Sequence, residues 1–256
     1  MKLIDFDEMF DKSLEKIRKK QLGKVKPETI ESSIPSLYES WLNMKNAEIG
    51  GLTPKEFVNR LKAENKLGRY ILAYAENDME ISDLIAEAAG EEEVPAILEM
   101  IEKYPSYKQV GLKMIGESGS TAADGKLVEM LTDEESEDVK DIIVEVLSSG
   151  HENVCGTLLD MMEGADEETR KLFVDILYHY TGDRRIFDWL VKMFATTDEI
   201  ALYAAYLGAY GDEDAVEILK KYADENKLTH YEFLEIRNAV ERLGGEMDGE
   251  YDVESR

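Results

Sequence analysis

The sequence predicts an all-α protein. Residues 67–245 are expected to wind as a right-handed α-α superhelix, a solenoid of about six helix pairs, and residues 1–66 to form an N-terminal helical cap. Three observations predict this. Only five prolines interrupt 256 residues that are rich in strong helix formers. Glycines recur at near-constant spacing through the middle of the chain. Each of those glycines is followed by apolar residues at offsets that share one helical face.

The marker glycines are Gly90, Gly119, Gly150, Gly182 and Gly211, at spacings of 29, 31, 32 and 29 residues. Four positions after each stands Val94, Ala123, Val154, Ile186 or Ala215, and eight positions after stands Leu98, Leu127, Leu158, Leu190 or Leu219. Positions i, i+4 and i+8 lie on one face, so every marker opens a helix with a fixed apolar stripe. A break rich in N-cap residues follows, such as Thr132-Asp133-Glu134-Glu135 or Thr196-Thr197-Asp198. A second helix then repeats its own stripe. Ile142, Ile143, Val146 and Leu147 correspond to Leu172, Phe173, Ile176 and Leu177, and these to Leu202, Tyr203, Tyr206 and Leu207. The next marker glycine closes the unit, where a positive φ suits a helix C-cap. One such pair cannot bury its own apolar face, but stacked pairs share a core.

The segments from Ala89 to Leu98 and from Gly211 to Leu219 resemble HEAT repeats of the short, phycobilisome-lyase-like type, and Gly182-Asp183-Arg184-Arg185-Ile186 resembles the same opening. The resemblance covers about residues 67–245. It implies a solenoid whose second helices line a concave face. It leaves function open among scaffolds, chaperones, lyase subunits and nucleic-acid enzymes.

The two ends depart from the repeat. Phe6, Met9, Phe10, Leu14 and Ile17 give a first helix an apolar face, with an end expected near Leu22-Gly23 and Lys16, Arg18, Lys19 and Lys20 in its last turn. A second helix is expected from about Pro27 to Met44. Gly50-Gly51 predicts a sharp turn, and Thr53-Pro54-Lys55-Glu56 has the capping-box pattern that starts a fresh helix at Pro54 running to about Ala63. Gly244 lacks the apolar pattern after it, so residues 246–256 read as a mobile acidic tail.

The net charge of −26 is unevenly placed: residues 1–30 hold eight Lys/Arg and six Asp/Glu, leaving −28 on the rest. Such a field repels phosphate backbones, so a nucleic-acid partner is not expected. Neither is a membrane, because no run of about 18 apolar residues exists. The first residues carry acids and no apolar run, and Cys155 is the single cysteine. Both point to the cytoplasm.

Little in the sequence carries chemistry. His151, His179 and His230 are the three histidines, and none has a second ligand at metal spacing. His151-Glu152 is one His-Glu pair, where iron-dependent HEAT-repeat hydroxylases use several, so His151 reads as an ordinary loop residue. Cys155 reads as a buried side chain. Gly116-Glu117-Ser118-Gly119 has no lysine and no preceding strand, and reads as a turn. HEAT-like DNA glycosylases need a basic cleft, which this chain lacks. No cofactor and no metal are expected.

The binding face is sought on the non-core stripe of the second helices. It offers an acidic strip at Asp141, Glu145 and Asp175, with Lys171 beside it. In the fifth repeat the stripe is small and uncharged, at Ala201, Ala205 and Gly208, so a shallow floor walled by Tyr178 and Arg237 is expected there. A protein or peptide partner with basic and apolar side chains suits such a surface. The function expected is that of a non-catalytic interaction or scaffold protein. The alternative is an enzyme-assisting, lyase-like or chaperone-like subunit acting on a modified protein or small ligand. Mimicry of nucleic acid by the acidic surface ranks behind both.

Overall fold

A computed structural model describes residues 2–21 and 27–247. The expected end of the first helix at Leu22-Gly23 and the tail beyond residue 247 lie outside the described residues. Among the described residues the fold is all-helical, with 72% helix, no strands and sixteen α-helices. No described helix is long and apolar enough to cross a membrane.

The chain divides into two compact units, Met1–Ala123 and Asp124–Arg256. The first contains α1 (Phe6–Gln21), α2 (Pro27–Glu31), α3 (Ile34–Leu42), α4 (Pro54–Ala63), α5 (Leu67–Glu76), α6 (Asp83–Ala86), α7 (Val94–Lys103) and α8 (Lys108–Ser118). The single helix expected from Pro27 to Met44 is corrected to two. Pro35 has no N–H to bond the Glu31 carbonyl, and the Ser33 hydroxyl takes the Thr29 carbonyl at 2.6 Å, so the helix restarts at Ile34. Downstream, Gly50 and Gly51 adopt φ of 73° and 80°. The Thr53/Glu56 capping box forms with both hydrogen bonds in place, at 3.1 and 2.8 Å. Helix α5 is the core of this unit, with seven of its ten residues buried. Its Tyr70 hydroxyl accepts the Ile4 N–H at 2.8 Å, and its Tyr74 hydroxyl donates to the Ile4 carbonyl. An extended N-terminal strap is thereby held by two phenols.

The second unit contains α9 (Asp124–Asp133), α10 (Glu137–Leu147), α11 (Val154–Met161), α12 (Glu167–Leu177), α13 (Arg184–Thr196), α14 (Ile200–Tyr210), α15 (Ala215–Glu225) and α16 (His230–Arg242). Helices α7, α9, α11, α13 and α15 begin at residues 94, 124, 154, 184 and 215, every 30 or 31 residues. In this unit α9 packs on α10 and α11, α10 on α12, and α14 on α13, α15 and α16. Thus α9 neighbours the next first helix, α11, while α10 and α14 neighbour the next second helices, α12 and α16.

The repeat residues are core residues within their own units. Val94, Ala123, Val154, Ile186 and Ala215 are all buried, as are Leu127, Leu158, Leu190 and Leu219. Leu98 is only half-buried, and Ile97 and Ile101 take its place. The first register is shifted because its glycine does something else. Gly119, Gly150, Gly182 and Gly211 have positive φ, whereas Gly90 is extended at −141°. Its N–H donates to the Glu93 carboxylate at 2.9 Å, so it starts a 3-10 turn instead of ending a helix.

Tyrosine hydroxyls bridge sites about one repeat apart. Tyr180 accepts the His151 N–H at 2.8 Å and donates to the Leu147 carbonyl, while Tyr210 donates to the Asp183 carbonyl at 2.7 Å. Tyr180 thereby satisfies backbone groups at the turn after α10, where a helix end leaves its last carbonyls free, whereas the Asp183 carbonyl also accepts the Ile186 and Phe187 N–H groups.

Candidate acidic and aromatic groove

Helices α10, α12 and α14 of the second unit frame a groove of about 380 Å³, lined by Asp141, Val144, Glu145, Ser148, Ser149, Asp175, Tyr178, His179 and Tyr206. The helical period places these groups together. Asp141, Glu145 and the C-cap Ser148 recur at i, i+4 and i+7 along α10, and Asp175 and the C-cap Tyr178 at i, i+3 along α12. One wall is aromatic. Tyr178 stacks on Tyr206 with ring centroids 4.3 Å apart and planes 21° from parallel, and His179 leans on Tyr178 at 4.0 Å. The other wall is acidic. Asp141 and Glu145 are exposed and make no ion pair among the described residues.

Asp175 sits where the walls meet, and the Tyr206 hydroxyl donates to it. Burial pushes the Asp175 carboxyl above the usual range, and the tyrosine hydrogen bond partly opposes this. Tyr206 is shifted upward too, by burial first and then by that bond to a carboxylate. The phenol therefore stays protonated and donating at neutral pH. No Lys or Arg lines the groove. A second cavity of about 360 Å³ lies beside Trp189, and its Asp160, Glu163 and Asp188 are mixed with Arg185 and Lys192. Lys192 already covers the Trp189 ring at 3.8 Å.

The structure divides the eight residues expected at the binding face. Asp141, Glu145, Asp175 and Tyr178 come together in the groove. Lys171 stays out of it, bonded to Glu199 at 2.9 Å with Glu167 at 3.9 Å. Arg237 bonds Glu241 at 3.0 Å and does not line the groove that holds Tyr178. The open floor of Ala201, Ala205 and Gly208 is corrected. Ala201 and Gly208 are buried, and a Cβ at Gly208 would meet the Ala239 Cα at 2.8 Å. These small residues let α16 approach α14. Ala205 is half-buried and borders, with Gly208, a cleft of about 140 Å³ against Glu235, Asn238, Ala239 and Arg242. Gly208→Ala is accordingly expected to destabilise the second unit by about 1–3 kcal/mol through overpacking, read as a lower denaturant midpoint at unchanged m-value.

His179 beside Tyr178 reads from the sequence either as part of an aromatic contact patch or as the wet end of a helix, whereas nothing in the sequence reading places Tyr206, Ser148 and Ser149 in this role. Tyr206 stood in the core stripe, yet it is half-exposed. The available signal was its phenol at a position where the other repeats carry Val146 and Ile176. A buried hydroxyl needs a partner, and Asp175 supplies it.

His151 is corrected as well. It is 1% exposed, and its Nδ1 lies 2.5 Å from Asp124 Oδ1. The other oxygen of Asp124 is buried without a hydrogen-bond partner. Cys155 is half-buried, and burial, with Glu152 nearby, pushes its thiol up to about 11. It is a protonated, poorly nucleophilic thiol at neutral pH. Among the described residues no three His, Cys, Asp or Glu are placed to hold one metal ion. No protein-family model, curated protein or solved structure matches the chain.

Proposed function

We propose that this chain is a non-catalytic interaction protein of the cytoplasm, a HEAT-like solenoid that holds a protein segment with basic and apolar side chains. The observation that carries the reading is the groove's lining: three carboxylates and an aromatic wall, with no Lys or Arg to neutralise them. Such a surface attracts cationic side chains and offers rings for their apolar stems. The 30- or 31-residue helix register and the pairing of like helices in the second unit support the solenoid. The lone half-buried cysteine fits a reducing compartment.

The alternative, a lyase-like or chaperone-like subunit that handles a modified protein or small ligand, draws on the meeting of His179, Tyr178 and Tyr206 in the same groove.

A comparison of capture from native lysate tests both readings. The full chain and an Asp141→Asn/Glu145→Gln variant are immobilised in parallel, with low-salt and high-salt washes. A partner held by the unaltered chain, lost at high salt and lost from the variant is the expected result. A partner retained equally by the variant sinks the groove reading. A small chromophoric or organic ligand eluting in place of a protein establishes the alternative.

A further inference from the structure

We infer that the groove receives the guanidinium of an arginine side chain presented by its partner, an inference that rests on the reading above. Three features of the groove select this cation. First, the acids are available. Asp141 and Glu145 have no cation of their own, and Lys171, the Lys or Arg on the same stripe of α12, is held by Glu199 and Glu167. Second, the acids are spread. Asp141 and Glu145 stand one helical turn apart on α10, Asp175 stands on α12, and they do not converge as ligands for one metal ion. A compact ammonium engages one such carboxylate well. A planar guanidinium, with five N–H donors in a fixed fork, reaches more than one. Third, the remaining wall is aromatic and partly dry. Guanidinium is more weakly hydrated than ammonium and packs against rings, so it loses less on entering. The raised Asp175 carboxyl marks the same partial desolvation.

The rings also argue against a methylated ammonium. Tyr178 and Tyr206 stack on each other at 4.3 Å. They form one wall and do not enclose a cation on several sides as aromatic cages do.

The experiment uses the full chain and three fluorescein-labelled peptides of one length, alternating alanine with arginine, lysine or citrulline, titrated at low salt by anisotropy. The arginine peptide is expected to bind at least about tenfold tighter than the lysine peptide, and the citrulline peptide to lose binding. Asp141→Asn/Glu145→Gln is expected to lose the arginine peptide, while Glu91→Gln/Glu92→Gln, exposed acids of the first unit, leaves it unchanged. Tyr178→Ala is expected to shrink the arginine-to-lysine ratio. If its melting curve shows misfolding, the exposed carboxylate pair carries the test alone. Equal binding of the lysine peptide overturns the arginine inference and leaves a cation-binding groove standing. Equal losses in the two carboxylate variants overturn it in favour of diffuse charge. No binding of either cationic peptide overturns both readings.

Discussion

His151→Ala is expected to destabilise the second unit by about 1–3 kcal/mol, because it strips the hydrogen-bond partner from a buried carboxyl group. The His151 side chain is 2% exposed and that of Asp124 is 9% exposed. Asp124 already has one oxygen without a partner, so removal of the imidazole leaves both oxygens unsatisfied. The backbone bond from His151 N–H to Tyr180 survives the substitution, so the loss belongs to the side chain. The paired change Asp124→Ala/His151→Ala is expected to cost clearly less than the sum of the single changes, since it removes the orphaned polar group together with its partner. Urea unfolding of the two single variants and the double variant measures this coupling. Additive costs would mean that the 2.5 Å contact carries no interaction energy.

Phe173→Ala is the second large effect, about 3–5 kcal/mol. Phe173 is fully buried on α12, which packs against α10 and α11. The loss combines transfer of a phenyl ring to water with a cavity between helix pairs. Leu202 is the contrast, at the first stripe position of α14 and 42% exposed. Leu202→Ala is expected to stay within about 0.5 kcal/mol. Thermal melts of both variants check the pair. Similar melting points would show that the second stripe position is not the core position of these helices.

That contrast marks where periodicity is informative. The offset from glycine to the apolar and leucine positions places the core of α9, α11, α13 and α15 correctly, because a 3.6-residue period with one buried face leaves little freedom. It misplaces Leu98, where the Glu91–Glu93 turn and Pro95 change how α7 is entered. The break at Ser32-Ser33 was accessible through Pro35, whose effect on the preceding turn is local. The acidic half of the groove follows from helical spacing alone. Its aromatic half does not, because Tyr206 meets Asp175 across 31 residues. Small residues are ambiguous in principle: Gly208 fits an open floor and a close helix crossing equally, and only Ala239 opposite it decides. His151 failed for a related reason, since its partner lies 27 residues away.

The phenols of Tyr180 and Tyr210 give this arrangement a kinetic signature. Tyr210 ties α14 to the N-cap of α13 in its own pair, whereas Tyr180 occupies the last carbonyl of α10 and the His151 amide before α11, so the α11–α12 pair cannot open without uncovering backbone groups of the turn that precedes it. Local fraying is thereby converted into a shared event, the behaviour expected of a one-dimensional chain with strong nearest-neighbour terms. The His151 amide becomes a reporter. Its exchange with deuterium is set by the opening of the following pair, through Tyr180, and Tyr180→Phe is expected to release it while amides within α10 keep their protection.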